Sequence, residues 1–218
     1  MRLLSINVAL PKVVTADGKQ VETGIFKQPV NGPVKVGKLN IEGDAQADLS
    51  VHGGVDKAVY VYSWKNIEYW KNFLKREDLH PGSFGENLTV DDLDDAEVCL
   101  GDQLEIGTAR FQVTQPRLPC FKLGIAIGRP DFVKIFHESG RNGFYLRVIQ
   151  EGLIKAGDTI RKISNDDPEA VTLAEFVNIY RTRSTTGRIL HQLASLSSLP
   201  NSWKLWLKEK VKVEVPPD

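Results

Sequence analysis

Residues 1–163 are cut into short apolar runs by a succession of turn signals, and this spacing limits what the chain can become. Asp17-Gly18, Asn31-Gly32-Pro33, Gly43-Asp44, Gly107-Thr108 and Glu151-Gly152 are breaks that no long element survives. The runs between them read as strands. Residues 3–10 alternate, with Leu4, Ile6 and Val8 on one face; Val34 and Val36 continue the pattern; residues 58–63 are β-branched and aromatic; residues 88–90 are a short strand. Residues 101–106 and 109–114 form a hairpin, and strands follow at 143–150 and 157–163. Helical spacing is confined to 64–75, where Trp64, Ile67, Trp70 and Leu74 recur, and to a helix opened by Pro130 and stopped by Gly140. Many short strands with few helices predict a mainly β fold, a barrel that closes its own edges with a few peripheral helices.

The pattern changes at Ser164-Asn165-Asp166-Asp167-Pro168. Beyond it everything reads helical: a capping box at Thr172-Leu173-Ala174-Glu175, a helix over 187–196 and another over 202–211. Three helices of about a dozen residues are marginal alone, so they are expected to pack together and onto the barrel. The organisation predicted is a β-barrel domain over 1–163 and a three-helix domain over 164–218.

With 41% hydrophobic residues in 218, the chain can bury a core. Lysine plus arginine and aspartate plus glutamate both number 28, which removes any global charge that would draw nucleic acid or an anionic membrane. The apolar run at the N-terminus is too short for a signal peptide and none reaches membrane-spanning length, so a reduced cytoplasmic setting is expected. Neither a disulfide framework nor a zinc site can be built from Cys99 and Cys120, which belong to no Cys-x-x-Cys pair. Cys99 lies between Val98 and Leu100 and reads as core packing. His191 reads as a surface histidine.

Thr114-Gln115-Pro116-Arg117-Leu118-Pro119-Cys120 carries the chemistry. Two prolines remove donors and stiffen the backbone, so a rigid, exposed turn is expected. The turn ends on Cys120, flanked in sequence by Arg117 and Lys122, and a neighbouring cation favours the thiolate, at once a nucleophile and a soft metal ligand.

Four stretches in order extend the signal: Gly43-Asp44-x-Gln46-Ala47-Asp48, Val51-His52-Gly53-Gly54-Val55-Asp56-Lys57-Ala58, Phe84-Gly85-Glu86-Asn87-Leu88 and Gln115-Pro116-Arg117-x-Pro119-Cys120. Together they resemble the MOSC family, named for the C-terminal domain of molybdenum cofactor sulfurases, and most closely its YiiM-like branch, in which three helices follow the barrel. The resemblance implies a cleft for the molybdenum cofactor, with Cys120 as the metal's protein ligand, and a general expectation of pyridoxal phosphate binding. Arg117, Lys57 and Lys27 would form a basic pocket for the cofactor phosphate or an anionic substrate. His52 would donate to the pterin or shuttle protons, the glycines after it allowing close approach. Asn87 and Gln115 would meet the pterin ring with their amides, and Glu86 would stabilise its loop.

The activity implied is reduction of N-hydroxylated compounds, base analogues among them, to amines. No dinucleotide fingerprint or P-loop is present, so electrons would come from a separate reductase. No nucleic acid polymer or membrane is expected as a partner, and the chain would act as a monomer or homodimer. Two other classes stay open: a cofactor or sulfur carrier using a Cys120 persulfide, and a hydrolase pairing Cys120 with His52 or His137.

Overall fold

The computed structural model describes residues 1–164 and 170–213, apart from the side chains of Ser50 and Val51. The chain opens with β1 (Leu3–Val8), β2 (Lys12–Ala16), β3 (Lys19–Thr23), β4 (Gln28–Val30) and β5 (Val34–Val36). A single helical turn α1 (Leu49–His52), a 3-10 turn (Val55–Lys57), β6 (Val59–Ser63) and α2 (Trp64–Leu74) follow. Next come β7 (Leu88–Val90), β8 (Gln103–Ile106), β9 (Ala109–Pro116), α3 (Phe121–Ile127) and α4 (Phe132–Ser139). Then β10 (Phe144–Gln150), β11 (Gly152–Ile154) and β12 (Ile160–Ile163) lead to α5 (Leu173–Thr182), β13 (Ser184–Thr185), α6 (Gly187–Ser195), α7 (Asn201–Lys210) and β14 (Lys212–Val213).

The body is one mixed sheet in the order β12-β8-β9-β10-β6-β7-β1-β4. Its pairs are antiparallel except β6 with β7, where α2 supplies the crossover a parallel pair needs. The strands do not run as one continuous closed ladder around the barrel expected. The ladder ends at β4 and β12, and β12 is joined to the start of β1 through residues 1–3, where Arg2 bridges Thr159, the Leu3 N–H reaches the Asp158 carbonyl at 3.0 Å and the Ile160 N–H reaches the Met1 carbonyl at 2.9 Å. From Ile6 onward β1 is already occupied by β4. The predicted inward face of β1 also shifts. A bulge against β7 between Leu3 and Ser5 breaks the alternation, leaving Leu4 42% exposed while Leu3 and Ile6 point in.

β6 is buried along its whole length and feeds both sides of the sheet. Val59 and Val61 join the main core with Leu104, Phe111 and Leu146, while Tyr60 and Tyr62 join a second, aromatic core with Trp70, Phe84, Phe132 and Phe136. The capping box at Thr172 and Glu175 forms as expected, and α5, α6 and α7 fold where the pattern predicts. They pack onto the sheet, as expected. Leu173, Phe176, Leu193, Leu199 and Leu207 belong to the same apolar cluster as the sheet, so the helices are a layer laid on it. The change of character predicted at residues 165–168 lies outside the described residues.

The proline segment is not the exposed turn expected. β9 runs on to Pro116, opposite Phe144 of β10, and residues through Arg117 are buried. Pro116 is tolerated because it is the strand's last residue; only Leu118, Pro119 and Cys120 come out to half exposure. Cys99 likewise is half-buried rather than core, bridging Thr172 where the helical layer meets the sheet. No helix among the described residues is long and apolar enough to cross a membrane.

Asp95 ties this region together, accepting the N–H groups of Asn142 (3.1 Å) and Gly143 (3.0 Å). Burial pushes its carboxyl up to about 6, against those two donors, which favour the charged form. The folded chain thus holds this proton to about pH 6 and the unfolded chain only to about pH 4. The associated stability, of order 2–3 kcal/mol, is complete below about pH 4 and is lost as pH rises through about 6. In urea titrations between pH 4 and 7, Asp95→Asn should remove this component and gain on the wild type as pH rises. A constant difference across that range would contradict the assignment.

Candidate functional site

The segments singled out in the sequence converge on one cavity of about 650 Å3, open mouth included. Lys27, just ahead of β4, and Asp44, after β5, come from one side, His52 and Lys57 from the ends of α1 and the 3-10 turn, and Asn87 from the start of β7. Arg117 and Cys120 follow β9, and Tyr60 and Tyr145 project from β6 and β10. Period-2 alternation sends Tyr60 to the face opposite Val59 and Val61, a signal the sequence carried but the motif reading passed over.

Cys120 sits at the N-terminal end of α3 and is half-buried. Burial pushes its thiol up, but a hydrogen bond from His52, the charge of Arg117 and the Lys122 backbone N–H outweigh that and bring it down to about 7. A sizeable fraction is therefore thiolate at neutral pH. His137, the other partner considered, does not line this cavity; it stands edge-on to Tyr180 at 5.5 Å.

Arg117 is 5% exposed, its guanidinium over the rings of Tyr60 (5.3 Å) and Phe136 (5.2 Å). Nη2 makes one long bond to the Phe84 carbonyl at 3.5 Å, and buried Nη1 has no hydrogen-bond partner among the described residues. The backbone around it is tightly held: its N–H donates to Gly143 (2.9 Å), and Asn142 Nδ2 donates to its carbonyl (2.8 Å). Lys57 shares the cavity, and burial lowers its pKa more than adjacent Asp56 raises it.

Lys27 is buried and forms an ion pair with Asp44. Burial lowers the ammonium's pKa while Asp44 opposes that shift. Asp44, quoted in the motif but given no role, is the hub of this side. It also accepts from Asn87 Nδ2 (2.9 Å) and the Ala9 N–H (2.9 Å). Asn87 in turn accepts the Tyr60 N–H at 3.0 Å, so its amide clamps three segments while lining the cavity. Glu86 holds its own loop as expected, accepting the N–H groups of Gly82 (2.6 Å) and Phe84 (3.0 Å) and the Thr89 hydroxyl (3.0 Å).

Two expected roles shift. Gln115 does not line the Cys120 cavity: Nε2 donates to the Asp56 carbonyl (3.2 Å) and Oε1 accepts from Trp203 Nε1 (2.6 Å), so the amide docks α7. Nor do Gly53 and Gly54 line it; Gly54, at φ 94°, turns the chain from α1 into the 3-10 turn instead. Gly85 does line it, at φ 81°, where a Cβ would stand 2.9 Å from Ile25 Cγ1.

A concave site that joins a low-lying thiolate, an imidazole and an under-partnered buried guanidinium has the chemical make-up to receive an anionic small molecule beside a sulfur. The MOSC domain family model matches residues 48–161. Bacillus subtilis YflK is 38% identical over 95% of this chain and 93% of its own length. The crystal structure of YiiM from Geobacillus stearothermophilus superposes with a TM-score of 0.79 at 35% identity, covering 97% of this chain and 99% of that one. A Gibberella moniliformis protein named Reductase is 33% identical over 84% of this chain, a match that spans only 32% of its own length. The chain belongs to the MOSC domain family, in its YiiM-like branch.

Iodoacetamide labelling of Cys120, followed by mass spectrometry, should rise through about pH 7, and His52→Ala should move that midpoint upward. An unmoved midpoint would remove His52 from the thiolate's support. Asp44→Ala strands a buried ammonium and should destabilise the fold by about 3–5 kcal/mol in chemical denaturation; a loss below about 1 kcal/mol would show that Lys27 escapes to water.

Proposed function

We propose that the chain binds the molybdenum cofactor in the Cys120 cavity and reduces N-hydroxylated compounds, purine and pyrimidine analogues among them, to amines. The observation that carries this reading is that one cavity is lined by both a low-lying thiolate and a buried arginine whose Nη1 has no hydrogen-bond partner among the described residues. A thiolate suits a sulfur-ligated high-valent metal, and guanidinium and ammonium groups suit a phosphate. Among the described residues no cluster of three or more His, Cys, Asp or Glu could hold a metal ion, so a metal at Cys120 would bring its other ligands with it.

Bound there, the cofactor would supply a two-electron couple and an acceptor for the substrate oxygen. The chain's residues do the rest. Arg117 and Lys57 supply positive charge around the anionic ligand, Asn87 and the Lys27–Asp44 pair hold the wall rigid, and His52 transfers protons through its imidazole. Overall, an N-hydroxylated amine takes up two electrons and two protons and leaves as amine and water. The electrons come from a separate reductase. The Gibberella relative, a longer protein named Reductase, supports a redox role.

The Cys120–His52 hydrogen bond favours one second reading, a carrier holding a persulfide on Cys120. Molybdenum and pterin content separate the two. Protein from a cofactor-competent host should carry both and reduce N-hydroxylated bases with an artificial electron donor. Cys120→Ala should lose the metal and the activity. Wild type free of molybdenum and pterin, with a cyanide-labile sulfur on Cys120, would favour the carrier instead.

A further inference from the structure

A second groove, of about 830 Å3 with its open mouth, runs from the Cys120 cavity toward the helical layer. The two share His52, Lys57, Leu118 and Tyr145, so one is continuous with the other. Its far wall is aromatic. Tyr180 of α5 and Trp206 of α7 are stacked at 5.2 Å and 29°, and Trp203 stands edge-on to Trp206 at 5.3 Å and 78°. Arg183 caps the stack at 4.6 Å from the Trp206 ring and 4.7 Å from that of Tyr180. The Gln115–Trp203 hydrogen bond fixes the wall to the strand that leads to Arg117 and Cys120. Pro116 and Leu118 line the near side.

We propose that this groove is the subsite for the planar ring of the substrate. The C-terminal helices would thereby select flat, heteroaromatic N-hydroxylated compounds over acyclic ones, and Gln115 would act as the positioning residue for the platform. The inference rests on the reductase reading for what lies at the Cys120 end. Half-buried aromatic rings beside a polar mouth suit a flat ring with an ionic or hydrogen-bonding edge, because every such ring has a π-face to stack. His52 and Lys57, at the junction, would meet the edge that carries the N-hydroxyl group.

Adenine, which offers the ring without a reducible group, is the probe, titrated calorimetrically into the full-length protein. Saturable binding should weaken about tenfold in Trp206→Ala, in line with the loss of one stacking partner, and be retained in Trp206→Phe. Ser202 is exposed on the groove's rim, so Ser202→Arg blocks the groove without touching the core and should abolish binding in a protein with unchanged melting. Cys120→Ala should leave adenine binding intact. Absence of saturable binding, or equal affinity in Trp206→Ala and Ser202→Arg, overturns the subsite even if molybdenum and reductase activity are found. Groove-dependent adenine binding in a protein that carries no molybdenum supports the subsite and sinks the reductase reading alone.

Discussion

A guanidinium withdrawn from water with one terminal nitrogen unanswered is a costly thing for a fold to maintain. Arg117 is nonetheless held in place by its own backbone, by Asn142 and Gly143, and by aromatic faces on two sides. Its charge helps lower the Cys120 thiol, and the thiolate in turn helps balance the charge. Much of the surrounding architecture serves this pair. β9 delivers it, Asp95 secures the strand start opposite, and the aromatic core behind β6 supplies the rings. A site that keeps a cation only partly compensated is preorganised for an anion, because the reorganisation is complete before the ligand arrives.

On the other flank the logic is reversed. Lys27 is a buried cation whose partner is built in, and Asp44 joins it to Asn87 and the β1 end. This clamp gives the cavity a wall of fixed shape, whereas Arg117 leaves a vacancy in its hydrogen bonding. Two cations in one cavity thus do different work, and only burial and partner geometry tell them apart.

Local signals were enough to read most of the helices, the hairpin β8–β9 and the capping box, because each depends on neighbours in sequence. What escaped depends on distant pairing. The bulge that turns Leu4 outward is set by β7, some eighty residues on. The burial of Pro116 follows from β10, and Gln115 became a tie to α7 because Trp203 stands opposite it. How far the sheet closes is set in the same way: strand count and spacing say nothing of how much of the first strand's edge is free for the last, and here only residues 1–3 are. The change in periodicity after residue 163 marks a change of element type, and which sheet residues the helices pack against was not legible in it.

The sheet ladder ends at β4 and at β12, whose start alone is covered by residues 1–3, and such edges are a standing invitation for another copy to add a strand. Both edges carry deterrents. β4 holds Pro29, exposed and without an N–H to offer, and β12 turns Arg161 and Lys162 to solvent. Incomplete closure is thus offset by side chains that discourage self-templating at the edges a continuous ladder would otherwise hide.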